Sequence, residues 1–98
     1  MNHGTGQPKF LFVPVSGPGG AGEYFRSLAV ARAVERRWPG CAIKFIVSRD
    51  APYARDTPYP VRLVDRSPTY ETRAVIDTIE CERPDVVVLD LTMPRTDA

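Results

Sequence analysis

The 98-residue chain predicts a Rossmann-like parallel α/β sheet of about four strands, in the order 3-2-1-4, with helices on both faces. Three observations carry that expectation. Short apolar runs rich in valine, isoleucine and phenylalanine alternate with two stretches of helical periodicity, which is the pattern of right-handed β-α-β crossovers. No internal repeat or low-complexity segment breaks the alternation. A glycine-rich turn, "SGPGGAG" from Ser16 to Gly22, joins the first strand directly to the first helix.

The first strand is "KFLFVPV", Lys9 to Val15, apolar and β-branched or aromatic, with Pro14 suiting its end better than its middle. From Glu23 to Trp38 the residues Tyr24, Leu28, Ala31, Val34 and Trp38 form one stripe, and Arg26, Arg32, Arg36 and Arg37 lie off it, so this segment predicts an amphipathic helix. Pro39 and Gly40 stop it, and the arginines of its last turn suit the negative end of the helix dipole. "AIKFIVS", Ala42 to Ser48, predicts the second strand. The proline-punctuated "RDAPYARDTPYP" after it predicts a loop or broken turn, followed by a third strand, "VRLVD", from Val61 to Asp65. Ser67 before Pro68 predicts a capped helix start with Glu71 in the first turn, and Thr72, Val75, Ile76 and Ile79 its apolar face. "DVVVLDL", Asp85 to Leu91, is a continuous apolar run of the kind buried on both faces of a sheet.

Composition narrows the functional classes. With 43% hydrophobic and 26% charged residues, and a net charge of +1 from thirteen basic and twelve acidic side chains, the chain has the balance of a globular domain with one modest core. It carries no basic stripe with interleaved aromatics, so no nucleic-acid partner is expected. No apolar run has the length of a transmembrane segment and the N-terminus does not resemble a signal peptide, so the expected location is cytoplasmic. Cys41 and Cys81 lack metal-ligand spacing and His3 is the lone histidine; no metal site and no resident cofactor is expected.

A doubly wound sheet of this order reverses direction between its first and fourth strands, which opens a crevice beyond their carboxyl ends. The Ser16 to Gly22 turn would border that crevice on one side, and Asp90, Leu91 and Thr92 on the other. A strand, a glycine turn and a helix in succession direct backbone N–H groups and a positive helix end toward one spot, where an anion is the natural occupant. Only residues 91–98 follow Asp90, with no element to cover the far side of the fourth strand, so the sequence predicts the N-terminal half of a two-domain protein, or a chain completed by another polypeptide.

The segment "GPGGAGEYFRSLAVARAVERRWPG" resembles the opening motif of GT-B glycosyltransferases akin to the lipid-intermediate N-acetylglucosaminyltransferase of peptidoglycan synthesis, in which a glycine loop leads into a helix reading roughly G-G-x-G-H-x-x-R-x-L-A-L-A-x-A-L. Gly19, Gly20 and Gly22 match the glycines, Arg26 the arginine, and Leu28, Ala29, Ala31, Ala33 and Val34 the helix body; "ERPDVVVLD" is similar to that family's fourth strand. The resemblance implies transfer of a sugar from a nucleotide-diphosphate donor to a hydroxyl acceptor. It also implies an acceptor-side domain that needs a C-terminal partner domain for turnover. Ser16, Gly17, Gly19, Gly20, Gly22 and Arg26 would then approach substrate or phosphate. Glu23 stands where many relatives carry histidine. A carboxylate there can serve as a general base toward a sugar hydroxyl, and it would repel a diphosphate. It can also be read simply as a first-turn acid that stabilises the helix dipole.

Other readings of the same residues stay open. Gly17, Gly19 and Gly22 spell the dinucleotide fingerprint G-x-G-x-x-G, but Asp50 lies too far along to hold a ribose. "PDVVVLDLTMPRTDA" resembles the phosphoacceptor segment of receiver domains with Asp90 as acceptor, yet Val15, Ser16 and Gly17 supply no acidic pair for Mg²⁺ after the first strand. A non-enzymatic, truncated α/β domain is the fourth.

Overall fold

Alternation along the first strand sends Phe10 and Phe12 to one side of the sheet and Leu11 and Val13 to the other, and the two cores grow from those four side chains. In the computed structural model, which describes residues 7–15 and 21–90, the strands are β1 (Lys9–Pro14), β2 (Ala42–Ser48), β3 (Val61–Val64) and β4 (Val86–Asp90). The helices are α1 (Gly22–Arg37) and α2 (Thr72–Glu82). All pairings are parallel and the order is β3-β2-β1-β4, with Phe12 opposite Phe45 on one flank and Val88 on the other. The predicted fold class is the one found.

On the first face Phe12 stacks on Phe45 at 5.1 Å between ring centroids, and Tyr24, Leu28 and Ala31 of α1 close over them. The helix stripe read from the sequence is therefore the packed one, with Val34 and Trp38 on its rim. Gly40, at φ +86°, takes the left-handed backbone that ends this unit, a conformation in which a β-carbon would be strained. On the second face Leu11, Val13, Ile46 and Val64 pack against Ala74, Val75 and Ile79 of α2.

The loop expected after β2 is present, with a burial the sequence does not announce, and the structure then departs from expectation in three places. Residues 49–60 form a chain of tight turns (Ala51 N–H to Ser48 O, Ala54 N–H to Ala51 O, Asp56 N–H to Tyr53 O), and they bury Ala51 and Tyr53 in the α1-side core. This segment is a strap with a core role. Ser67 makes no side-chain cap; Pro68–Tyr70 instead forms a 3₁₀ turn, and α2 begins at Thr72 with Glu71 at its N-cap. Arg66 accounts for that shift, since it holds Glu71 Oε2 at 2.9 Å and the Tyr70 carbonyl at 2.9 Å and so keeps both residues in the turn. The packed side of α2 is rotated from the predicted one: Ile76 is exposed, and Thr78 is buried. Thr78 can be buried because its hydroxyl donates to Ala74 O at 2.8 Å and accepts from Arg62 Nη1 at 3.0 Å. Finally, β4 is not buried on both faces. Among the described residues it pairs only with β1, which leaves Val86 41% and Leu89 54% exposed.

Candidate functional site

The carboxyl ends of β1 and β4 are tied together where Val15 N–H donates to the Asp90 carbonyl at 3.0 Å. The first turn of α1 opens at the same end of the sheet, with Ala21 at its N-cap. Alanine has no side-chain oxygen to offer the first-turn amides, so this helix end is uncapped by its own N-cap residue. Gly22 occupies the first helical position, and a β-carbon built on it meets no atom within 4 Å. Among the described residues, therefore, nothing requires glycine there.

Arg26 lies one turn further along α1 and spans the gap to β4. Its Nε donates to Asp90 Oδ2 at 2.8 Å and its Nη2 to Asp90 Oδ1 at 2.7 Å, a two-pronged pair between residues 64 positions apart. The Asp90 side chain is mostly covered, at 16% exposure, and that of Arg26 is open, at 62%. The hydrogen bonds and charge of Asp90 raise the guanidinium's pKa, and the Glu23 carboxylate adds to the effect. Arg26 thus stands among two carboxylates. The Asp90 carboxylate and the Arg26 guanidinium satisfy each other's charge at this end of the sheet.

Of the residues singled out in the sequence, Glu23, Gly22, Arg26 and Asp90 are gathered at this end of the sheet. Ser16, Gly17, Gly19, Gly20 and Thr92 lie outside the described residues. Tyr24, the residue after Glu23, was read only as part of a stripe. Its ring stacks on Tyr53 of the strap at 3.8 Å with 12° between planes, and its hydroxyl accepts from Thr57 Oγ1 at 3.0 Å. These contacts clamp the first turn of α1 from outside the sheet. The density of tyrosine in "PYARDTPY" was the available signal for them. Ser27, buried on the same helix, has a hydroxyl with no hydrogen-bond partner among the described residues.

Cavities lined by described residues lie away from this end of the sheet, among them an open one of about 400 Å³ beside the end of α2 at Ile79, Glu80, Arg83 and Pro84. A second, of about 290 Å³, sits at the opposite, amino end of β1 and β2, where Glu82 is gripped by Lys44 at 2.7 Å and Lys9 at 3.2 Å. Another, of about 220 Å³, lies beside β3 and is lined by Arg49, Arg62, Asp65 and Glu71. Among the described residues, no three histidine, cysteine or acidic side chains are grouped to hold a metal, and no helix is long and apolar enough to cross a membrane. No protein-family model, curated protein or solved structure matches this chain.

Proposed function

We propose that the chain is the acceptor-side, N-terminal domain of a GT-B-type glycosyltransferase. The observation that carries this reading is the opening of α1, with Gly22 and Glu23 in its first turn, at the carboxyl end of a 3-2-1-4 parallel sheet beside Asp90. In the reaction, an acceptor hydroxyl oxygen attacks the anomeric carbon of a nucleotide-diphosphate sugar. The bond from that carbon to the phosphate oxygen breaks, the nucleoside diphosphate leaves, and the hydroxyl proton passes to a base. Glu23 is the candidate base. A carboxylate in the first turn of α1 supports the acceptor side of such a reaction, because carboxylates accept hydrogen bonds from hydroxyls. A second α/β domain, in the same or another polypeptide, would supply the donor contacts.

The receiver-like alternative is placed second because both Asp90 carboxylate oxygens already accept from Arg26. Titration of ¹⁵N-labelled protein with UDP-N-acetylglucosamine, with NADP, and with acetyl phosphate plus Mg²⁺ separates the readings. The proposal expects amide shifts in Gly22, Glu23 and their neighbours with the nucleotide sugar, carried by the hydroxyl groups of its N-acetylglucosamine and therefore absent with NADP. Shifts centred on Asp90 with acetyl phosphate and Mg²⁺ alone would replace it.

A further inference from the structure

We infer that Asp90 is a specificity-determining residue at this end of the sheet: it acts as an intramolecular competitor that withholds Arg26 from phosphate. The inference rests on the reading above for the identity of the occupant. Its physical basis is the pair itself. A guanidinium forks a carboxylate or a phosphate through the same parallel N–H donors, and Asp90 holds the Nε–Nη2 edge of Arg26 at 2.8 and 2.7 Å. The acid is nearly covered, and the arginine, which must swing to meet a ligand, is exposed. A phosphate that reaches Arg26 must break both hydrogen bonds and leave Asp90 without its countercharge, next to the further negative charge of Glu23.

The chemistry therefore gives a sign. Replacing Asp90 with asparagine removes a negative charge and weakens the fork, so the variant binds phosphates more tightly than the wild type. A pair whose role was only to brace α1 against β4 would change stability and leave phosphate affinity unmoved or lower.

The experiment is calorimetric titration of the full chain and of Asp90→Asn, Arg26→Gln and the double variant with inorganic pyrophosphate, UDP and uridine, alongside thermal unfolding of each. Because the pair is partly exposed, the expected gain for Asp90→Asn is modest, about threefold or more in pyrophosphate and UDP affinity. Uridine affinity should not move, and the double variant should lose the gain. Pyrophosphate binding by Asp90→Asn that is equal to or weaker than wild type would overturn the inference, as would a gain that survives in the double variant. If neither the wild type nor any variant responds to UDP or UDP-N-acetylglucosamine, the glycosyltransferase reading fails, and the pyrophosphate arm still decides the role of Asp90.

Discussion

Tyr53 is the residue through which the 49–60 strap is coupled to the first turn of α1, and its removal should be costly despite its place in a loop. The ring is 7% exposed and lies flat on Tyr24 at 3.8 Å, and Tyr24 in turn packs on Phe45 at 6.1 Å. Truncation of a buried aromatic to alanine typically costs about 3–5 kcal/mol, of which stacking beyond area burial accounts for about 0.5–1.5. A strap made of turns can settle into part of the space, so Tyr53→Ala is expected near the lower end, about 3 kcal/mol. For a domain of this size that is a large share of a total stability of roughly 5–15 kcal/mol, and it corresponds to a fall in Tm of about 12 °C or more. Phe25, 59% exposed and meeting the Tyr24 ring only edge-on at 5.2 Å, is the comparison: Phe25→Ala should cost about 1 kcal/mol. The assay is urea unfolding followed by circular dichroism, with a double-mutant cycle on Tyr24→Ala and Tyr53→Ala to isolate the ring contact. If Tyr53→Ala costs no more than Phe25→Ala, the strap is a passive loop and the clamp on α1 does not exist.

Two further outcomes follow from local geometry. Gly22→Ala should leave the fold intact and raise stability by up to about 0.5–1 kcal/mol, because the added methyl meets open space and the position is helical; if the glycine serves the close approach of a ligand, the same variant loses amide shifts with UDP-N-acetylglucosamine, and unfolding and titration together test both halves. The hydrogen bonds of Lys44 and Lys9 lower the Glu82 pKa, so this acid stabilises the folded state above the ordinary unfolded value of about 4.3, and its contribution disappears as pH falls through the depressed folded value. Comparison of urea midpoints between pH 7 and pH 3 for wild type and Glu82→Gln should therefore show the smaller acid-side loss in the variant, and equal losses would deny the clamp any energetic role.

Where local chemistry and tertiary packing agree, the sequence alone suffices. Each of the four strands is a short apolar run bounded by turn residues, and the parallel order follows from the crossovers between them. β2 from Ala42 to Ser48 matches its predicted span residue for residue. Where a tertiary contact overrides the local pattern, sequence reasoning goes astray. Periodicity puts Thr72 and Ile76 on the packed face of α2 beside Val75 and Ile79, whereas Ala74 and Thr78 are the residues that join those two against the sheet. Thr78 is buried only because Arg62, sixteen residues earlier and on a different element, donates a hydrogen bond to it. The burial of β4 departs from expectation for a related reason: a valine run looks the same whatever lies against its faces, and burial belongs to the neighbours.

The candidate site exposes the deeper limit. In the sequence, Arg26 belongs to a glycosyltransferase-like helix, while Asp90 belongs both to the expected border of the crevice and to a receiver-like strand end. Nothing in either motif refers to the other. The 3-2-1-4 topology makes them neighbours, since β4 lies directly against β1 and the helix that leaves β1 returns over the sheet close to the β4 edge. Once they are paired, each changes the chemistry available to the other: the aspartate is no longer a free nucleophile, and the arginine is no longer a free phosphate ligand. A motif names the groups that a site contains, but the charge a ligand meets is set by what those groups have already bound. Here both groups are already bound, the aspartate to the arginine through two hydrogen bonds, so a ligand at this end of the sheet meets a pair and not two separate charges.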